Sequence, residues 1–336
     1  MLSRISPLLA TCLLAVTLSA APAPAQAETL IKLGHDQPED STHHQAALRW
    51  KELVEERTDG EVKVQIFPSR LLGSGTQMIE QAQAGAIEAV VLPTGWAAPF
   101  APSVSVLDLP FLFPSRETTY EVVDGPVGKK ILEPLEEKNL VGVAFWESGF
   151  KQFTGTFPIK TPEDYQGHKI RTMPSAVIQE QFKAFGATPT TIDFGELYTA
   201  LQQGVVDGQE NPIATIAAMR FFEVQPNMTL SDHGFLAYIF MFNKNFLESQ
   251  PEEVREVLVN AAQEAAEYQR EIIQEAEKKH LEAFREAGVE IYELSEEQRA
   301  AFEKASTPVY EWFAEEYGGE TLQMVRDAVD EIEKAK

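Results

Sequence analysis

The amino-acid sequence predicts an α/β fold made of two domains of similar build, with one long helix near the C-terminus. Segments with strand-like and helix-like periodicity alternate from Thr29 to Leu92, and the same alternation begins again at Leu140. From Pro251 to about Arg285 the chain has no glycine and no further proline, and it is rich in Ala, Glu, Gln and Lys. The 336 residues are enough to bury the cores of two such domains.

The first domain is predicted to begin with a short strand at Thr29–Leu33. Apolar residues at helical spacing follow and end at the turn Thr58–Gly60. Apolar and polar residues then alternate over 62–67, which predicts a second strand. A helix around Met78–Ala84 and a buried strand at Ala89–Leu92 complete a pattern typical of a largely parallel sheet.

The second half repeats this pattern without a detectable sequence repeat. Strands are predicted at Leu140–Trp146 and Lys169–Arg171, and helices at Val177–Phe185 and Glu196–Gln203, each helix ending at a glycine. Between the two halves, the apolar segment Asp108–Pro114 is bounded by proline and is predicted to be a packed loop.

The long helix is predicted over residues 251–285. Pro251 suits the first helical position, and the glutamates that follow it suit the helix macrodipole. At 1.5 Å per residue such a helix spans ~50 Å, which is longer than one small domain, so it is expected to back both domains. A coiled coil is the alternative, but the apolar residues do not follow a strict heptad.

The N-terminus reads as a secretory signal peptide over residues 1–27. Met1–Arg4 supplies a positive charge, Ile5–Leu18 is apolar, and Ala25–Ala27 offers a small-x-small site with cleavage after Ala27. Cys12, the only cysteine, lies in the apolar stretch and matches a lipoprotein signal poorly. The expected mature chain is periplasmic and has no disulfide.

The net charge argues against two classes of partner. A formal net charge of −24, which removal of Arg4 makes −25, argues against nucleic acid and against anionic membrane surfaces. An anionic ligand would need positive groups of its own at the site, because the field of the whole protein opposes it.

The motifs of common enzymes are missing. Gly73–Gly75 is too short for a phosphate-binding loop, and Ser74 within it lacks the frame of a nucleophile elbow. The six histidines show no metal-binding spacing. We therefore expect no catalytic residues, no cofactor and no metal.

Two residues could together hold a carboxylate. Arg171 ends the strand-like segment Gly167–Arg171, and Asn211 follows a glycine-bracketed turn forty residues later. A guanidinium matches two carboxylate oxygens and an amide adds directional hydrogen bonds. The alternatives are a surface charge for Arg171 and a helix N-cap ahead of Pro212 for Asn211.

An ordered set of motifs gives a family resemblance over essentially the whole predicted mature chain. The motifs are Phe67–Ser69 with Leu71–Gly73, Leu107–Phe113, Thr161–Asp164 through Gly167–Arg171, Phe194–Pro212 and Ser231–Gly234. With them the chain resembles the substrate-binding proteins of tripartite ATP-independent periplasmic (TRAP) transporters, of the C4-dicarboxylate-binding type.

The resemblance implies a two-domain periplasmic binding protein of the type II-like class. It implies one domain at 28–148 plus about 237–276, a second at 149–236 plus about 277–336, and crossing strands and the long helix between them. The domains would close over a small organic acid and deliver it to the TRAP membrane permease subunits, driven by an ion gradient. A monomer is expected.

The resemblance also implies the binding residues. The carboxylate-binding arginine of the family falls on Arg171, its partner asparagine on Asn211, and the pocket aromatic on Phe194, for which core packing is the alternative. Many relatives carry a second arginine where this chain has Lys151, a point charge without the bidentate fork.

Five further residues are candidates for the pocket. They are His35 and Asp36 after the first strand, Thr94 and Trp96 after the strand at 89–92, and His233 beyond the clamp. Trp96 would stack on a ring or fill the hinge side of the cleft. Asp36 would meet a hydroxyl or a cation rather than the ligand anion.

The identity of the ligand stays open at this point. Dicarboxylates, hydroxy and sugar acids, keto acids and aromatic acids all need a similar clamp. Acidic contacts of sialic-acid-binding relatives are replaced by Gly75 and Pro93, which argues against that ligand. Two rival classes are a periplasmic enzyme and a receptor coupled to a sensor.

Overall fold

The computed structural model describes residues 29–336. The predicted signal peptide and its cleavage site lie outside the described residues. The strands are β1 Thr29–His35, β2 Val62–Phe67, β3 Ala89–Pro93, β4 Leu140–Gly155, β5 Lys169–Thr172, β6 Thr188–Thr191, β7 Gly208–Pro212, β8 Asn227–Leu230, β9 Phe235–Asn243 and β10 Glu290–Glu293. The α-helices are α1 Thr42–Arg57, α2 Gly75–Ala84, α3 Thr94–Ala97, α4 Arg116–Asp124, α5 Pro126–Leu132, α6 Ala176–Ala184, α7 Leu197–Gln202, α8 Ile213–Ala218, α9 Lys244–Ser249, α10 Glu252–Glu286, α11 Glu296–Tyr317 and α12 Glu320–Ala335. Short 3-10 helices span Pro102–Asp108, Glu133–Lys138, Pro162–Tyr165 and Phe221–Glu223.

The first group of strands follows the predicted α/β pattern. β1 lies between β2 and β3 and is parallel to both, and β3 pairs antiparallel with β9. The helices between them begin and end at local signals in the sequence. Ser41 caps α1 by accepting the amide of His44, and Ser74 forms a capping box with Gln77 at the start of α2. Ser74 is therefore a helix cap, which accounts for the serine between two glycines.

Strand β4 belongs to two groups of strands. Its residues 140–150 pair with β9, and Lys151–Gly155 pair with β7, with a register shift between Glu147 and Gly149. The sequence predicted that this strand ends at Trp146. The strand continues because the polar residues after it, Lys151 and Gln152, are buried with polar partners, so their polarity does not mark a loop.

The second group of strands is built on the end of β4. β7 pairs antiparallel with β4 and parallel with β5, and β5 is parallel to β6. β8 pairs with the end of β4, and β10 pairs with β8. The two groups give the predicted two-domain α/β fold. They change over on β4 after Phe150.

Strand β7 lies in the most motif-rich part of the chain and was not predicted. The glycine-bracketed turn ends at Gly208, as expected, and residues 208–212 after it form a fully buried strand. The N-cap of α8 is Pro212, so the alternative of Asn211 as a helix N-cap is wrong. The polar residues of β7 are buried beside side-chain partners on neighbouring elements, which no local pattern reveals.

Helix α10 confirms the long predicted helix, shifted by one residue at each end. Pro251 is its N-cap rather than its first helical residue. Near its start, the Trp50 indole donates to the carbonyl of Leu258 (3.2 Å), and near its end Phe222 packs on Phe284. The helix therefore packs on α1 at one end and on the region after α8 at the other.

The segment Asp108–Pro114 is largely the packed loop that was predicted. Asp108 ends a 3-10 helix, and Leu109, Leu112 and Phe113 after it are buried. Among the helices that the structure describes, none combines the length and the apolar character needed to span a membrane.

Candidate functional site

Arg171 lies at the end of β5 with its guanidinium almost wholly out of solvent. The residue is 2% exposed, and its Nε donates to the carbonyl of Ile192 at 3.0 Å. Its Nη2 has no hydrogen-bond partner within residues 29–336. Burial lowers the pKa of Arg171 to about 10, which leaves the side chain charged at neutral pH. A buried cation with an unused donor is the group that a carboxylate would satisfy.

Asn211 projects from the same face of the sheet as Arg171. Ile170 of β5 lies beside Gly208 of β7, so Arg171 falls level with Gln209. Asn211 is two residues further along β7, and residues two apart in a strand share a face. Its amide nitrogen donates to the side-chain oxygen of Gln209, which is consistent with that placement. The register thus brings the two predicted clamp residues to one surface.

Phe194 forms a wall beside the arginine. The Cζ of Arg171 lies 5.8 Å from the centroid of the Phe194 ring. The ring also packs edge to face on Phe221, with the centroids 6.0 Å apart. The side chain therefore packs in the core and also contacts the cation, and its role as a pocket aromatic stays a prediction.

A second arginine that the sequence analysis missed lies at the same ring. The Cζ of Arg70 is 5.6 Å from the Phe194 centroid, and its Nη1 donates to the backbone carbonyl of Asp36 at 3.2 Å. Arg70 directly precedes the motif Leu71–Gly73 that helped to reveal the family resemblance. A basic residue between the segments Phe67–Ser69 and Leu71–Gly73 was the available signal.

Asp36 is buried beside this pair of arginines. Burial raises the pKa of Asp36 to about 7, opposed by the charge of Arg70 and by the hydrogen bond from Tyr238. The Tyr238 hydroxyl lies 3.2 Å from Asp36 Oδ1 and accepts from Gln37 Nε2 at 2.7 Å. The charges of Asp36 and Tyr238 also act to raise the pKa of Arg171, against the effect of its burial. Tyr238 lies within a run of apolar residues in β9, so the sequence did not indicate that its hydroxyl bonds to Asp36 and Gln37.

Lys151 projects to the opposite face. Gln152 lies beside Asn211 in the antiparallel pair of β4 and β7, so the side chain of Lys151, one residue earlier, points away from the clamp. Its Nζ lies 2.5 Å from Glu210 Oε1, and both side chains are buried. Its charge is balanced there, so this geometry favours a structural role over the predicted contact with the ligand.

His233 belongs to the same buried network. Its Nε2 lies 2.6 Å from Glu210 Oε2, its Nδ1 lies 2.7 Å from Ser231 Oγ, and its ring stacks on Phe153. Burial acts to raise the pKa of Glu210, but the charge of Lys151 and the hydrogen bonds from His233 and Lys151 lower it to about 2. Arg171 and Asn211, the predicted clamp residues, therefore lie on one face of the sheet, and Lys151 and His233 belong to an ion network on the other.

The remaining candidates fill the space at the ends of β1 and β3. The Thr94 hydroxyl donates to Asp108 Oδ1 at 2.6 Å, and Asp108 Oδ2 accepts from Ser175 at 2.8 Å. Trp96 packs so closely on Gly75 that a Cβ there would lie 2.7 Å from the indole, which favours the space-filling role over ring stacking.

His35 is a neutral buried side chain. Its Nε2 lies 3.1 Å from Nδ1 of His44, and burial lowers the pKa of His35 to about 3. It carries no charge at neutral pH, so it offers a ligand hydrogen bonding only.

Comparison with known proteins identifies the family. The model of the bacterial extracellular solute-binding proteins, family 7, matches residues 33–316. The chain belongs to this family of TRAP solute-binding proteins. The C4-dicarboxylate-binding periplasmic protein DctP of Rhodobacter capsulatus is 38% identical over 314 residues, covering 92% of this chain and 93% of that one. The family consists of periplasmic solute-binding receptors rather than enzymes.

Two solved TRAP solute-binding proteins share the fold. The protein of Desulfovibrio salexigens with bound orotic acid superposes with a TM-score of 0.87 at 36% identity, covering 90% of this chain and 99% of its own. The protein of Sulfurospirillum deleyianum with bound succinate gives a TM-score of 0.84 at 33% identity, covering 89% and 99%. Two proteins similar to this chain in fold thus hold orotic acid and succinate, respectively.

Proposed function

We propose that this protein is a periplasmic receptor that captures a small organic acid, with Arg171 and Asn211 binding a carboxylate. The observation that carries the proposal is the buried Arg171 guanidinium, whose Nη2 has no hydrogen-bond partner among the described residues. A buried donor without a partner costs free energy, and a bound carboxylate would supply both the partner and the opposite charge. Asn211, on the same face, would orient that carboxylate.

The charge of the protein supports this assignment. An anion approaching a protein of net charge −24 needs local cations, and Arg171 and Arg70 lie at one aromatic ring. The charge of Lys151 is balanced by Glu210 on the other face. Of these three cations, Arg171 and Arg70 are therefore the two that a ligand could use.

Closure of two domains would retain the ligand. We take the domain boundaries predicted from the sequence, 28–148 plus about 237–276 and 149–236 plus about 277–336. Side chains from the two predicted domains meet in the structure, as in the hydrogen bond from Ser175 to Asp108. A ligand that touches both sides would favour the closed state by its higher affinity for it.

The partners follow from the family. The closed, ligand-loaded receptor would dock on the TRAP membrane permease subunits, and an ion gradient rather than ATP would drive uptake. We propose that it acts as a monomer in the periplasm after cleavage of the signal peptide. N-terminal sequencing of the protein from a periplasmic fraction tests the cleavage after Ala27.

The ligand class is a dicarboxylate or a hydroxy or sugar acid. The similarity to DctP of Rhodobacter capsulatus and to the succinate-bound protein supports it. The orotic-acid-bound neighbour supports an aromatic monocarboxylate as the second candidate, because Phe194 offers a ring beside Arg171.

A thermal-shift screen of the purified mature chain tests the function. The panel contains succinate, malate, fumarate, galactonate, orotate and pyruvate, and Arg171→Ala is the matched control. We expect at least one acid to raise the Tm of the wild type and none to raise that of the variant. An equal shift in the variant would refute the clamp, and conversion of any acid into a product would favour the rival enzyme class.

A further inference from the structure

Arg70 is held in an unusual backbone conformation at the turn after β2. Ser69 and Arg70 both have positive φ, 53° and 62°. The amide of Ser69 donates to the carbonyl of Gln37 at 2.9 Å, and that of Arg70 to the carbonyl of His35 at 3.1 Å. The turn is therefore fixed to the residues at the end of β1, beside Asp36. Residues held in such sparsely populated backbone conformations cluster at active sites and ligand clamps.

The side chain of Arg70 reaches from one predicted domain to the other. The turn after β2 belongs to the first predicted domain, and Phe194 lies in the second. The guanidinium nevertheless lies 5.6 Å from the Phe194 centroid, while Arg171 lies 5.8 Å from the same point. The two cations thus approach one ring from opposite domains.

Gly195 makes this approach possible. A Cβ on Gly195 would lie 2.7 Å from the Nε of Arg70 and 2.8 Å from its Nη2. A side chain there would push the guanidinium away from the ring. Because Gly195 has no Cβ, the guanidinium of Arg70 can pack directly against its backbone.

Most of the hydrogen-bonding capacity of Arg70 is unused by the described residues. Its guanidinium has five N–H donors. One hydrogen bond is formed, from Nη1 to the carbonyl of Asp36. The residue is partly rather than fully buried.

We propose that Arg70 is a second ligand-binding cation, contributed by the domain opposite Arg171, and that it selects organic acids with a second carboxylate. This inference rests on the proposed function. The Cζ atoms of Arg70 and Arg171 lie 5.6 Å and 5.8 Å from the Phe194 centroid, so the distance between these two carbons cannot exceed the sum of those two values. A short dicarboxylate can bridge the two guanidinium groups, with one charge-assisted pair at each of its carboxylates. Such a ligand would contact both domains and so link charge recognition to closure.

The assignment replaces Lys151 as the reader of the second charge. Lys151 projects to the other face of the sheet and its charge is balanced by Glu210. Arg70 has the bidentate geometry that Lys151 lacks. A relative with a second arginine at the position of Lys151 would therefore read the second carboxylate differently from this chain.

Matched pairs of acids test the inference. The wild type is titrated calorimetrically with succinate and butyrate, and with galactarate and galactonate, which differ by one carboxylate within each pair. In whichever pair the wild type binds, we expect Arg70→Gln to lower the affinity for the diacid at least tenfold and the affinity for the monoacid less than threefold. Arg57→Gln, which removes a surface charge paired with Glu264, is the control for the long-range field and should change neither.

Each other result overturns the proposal. Equal weakening of diacid and monoacid would make Arg70 a contact between the domains only, and no weakening would make it a solvated side chain. A wild type that prefers the monoacid also contradicts it. Failure of the wild type to bind any acid would instead refute the proposed function.

A second variant provides an independent readout. Gly195→Ala displaces the Arg70 guanidinium without changing its charge, and the backbone of Gly195 is not in the left-handed region. We expect it to reproduce the selective loss of diacid binding. If Gly195→Ala leaves the diacid affinity unchanged, the position of the guanidinium over Phe194 is not needed, and the proposed geometry is wrong.

Discussion

Lys151 and Glu210 form an ion pair inside the protein, with Nζ and Oε1 2.5 Å apart and both side chains almost wholly excluded from solvent. Gln181 donates to the other carboxylate oxygen at 2.9 Å, and His233 lies against it. Breaking a buried pair by removing one partner leaves an uncompensated charge, which costs ~3–5 kcal/mol. The pair therefore contributes to the stability of the protein more than to recognition of the charge on the ligand.

Substitution of Lys151 should first be visible in stability. We expect Lys151→Met to lower the free energy of unfolding by about 3–5 kcal/mol, since Glu210 would remain buried without its main counter-charge. The measurement is urea denaturation followed by circular dichroism. The double variant Lys151→Met with Glu210→Gln should recover much of the loss. A single variant as stable as the wild type would contradict the ion pair.

The same pair predicts acid sensitivity. The pKa of Glu210 is lowered to about 2 in the folded protein from an ordinary value of 4.5. A lowered folded value stabilises the protein above the unfolded value, so this contribution is lost as the pH falls from 4.5 towards 2. We expect Glu210→Gln to show a shallower decline of Tm over that range. An identical decline in both proteins would show that other carboxylates dominate.

Removal of the Arg171 guanidinium should weaken binding strongly and preserve the fold. We expect Arg171→Ala to weaken the affinity for the identified acid by ~2–5 kcal/mol, because a buried carboxylate would lose its charged partner. Arg171→Lys should restore only part of it, since an ammonium lacks the fork. Calorimetry measures the affinities, and far-ultraviolet circular dichroism checks the fold. Unchanged affinity in Arg171→Ala would contradict the clamp.

Two substitutions of Asn211 separate the effect of losing its amide from the effect of adding a negative charge. Asn211→Ala removes the amide and should cost ~1 kcal/mol of binding free energy, as expected for one hydrogen bond. Asn211→Asp keeps the shape but places a negative charge on the face of Arg171, so we expect a larger loss. The two variants are compared by titration with the same acid. An aspartate variant that binds more tightly than the alanine variant would place Asn211 away from the ligand anion.

Asp36 predicts a dependence of binding on pH. Because the pKa of Asp36 is about 7, the side chain ionises between pH 6 and 8, close to Arg70 and Arg171. An anionic ligand nearby favours neutral Asp36, so affinity should fall as the pH rises through 7. Titrations of Asp36→Asn at several pH values should show a flatter profile. A wild-type affinity that is constant over the range would place Asp36 outside the ligand field.

The stability of the apo protein should follow the same group. The folded pKa of Asp36 lies above its ordinary value of 3.8, so folding favours the neutral form and the stability falls as the pH rises from 3.8 to about 7. In Asp36→Asn this contribution to the pH dependence is absent. The difference in Tm between the two proteins should therefore grow towards neutral pH and favour the variant. A difference that is independent of pH would contradict the raised pKa.

The sequence predicted well those elements whose signals are local. Residues 62–67 form the predicted strand because the side-chain period of two is readable in a short window. Helix α10 was located within one residue because nothing interrupts its pattern between Pro251 and Gly288. β7 was missed because its buried residues are polar, and their partners lie elsewhere in the chain.

The sequence by itself determined the alternating α/β plan, the long helix and, through the family motifs, the choice of Arg171 and Asn211. Only the tertiary structure decided which positively charged side chains are free to contact a ligand. Lys151 and Glu210 are 59 residues apart in sequence, and their pairing removes a charge that the sequence appeared to offer. Arg70 and Phe194 belong to different predicted domains, yet they meet at the site. A charged side chain acts on a ligand only where no nearer group balances it, and that depends on contacts between distant parts of the chain.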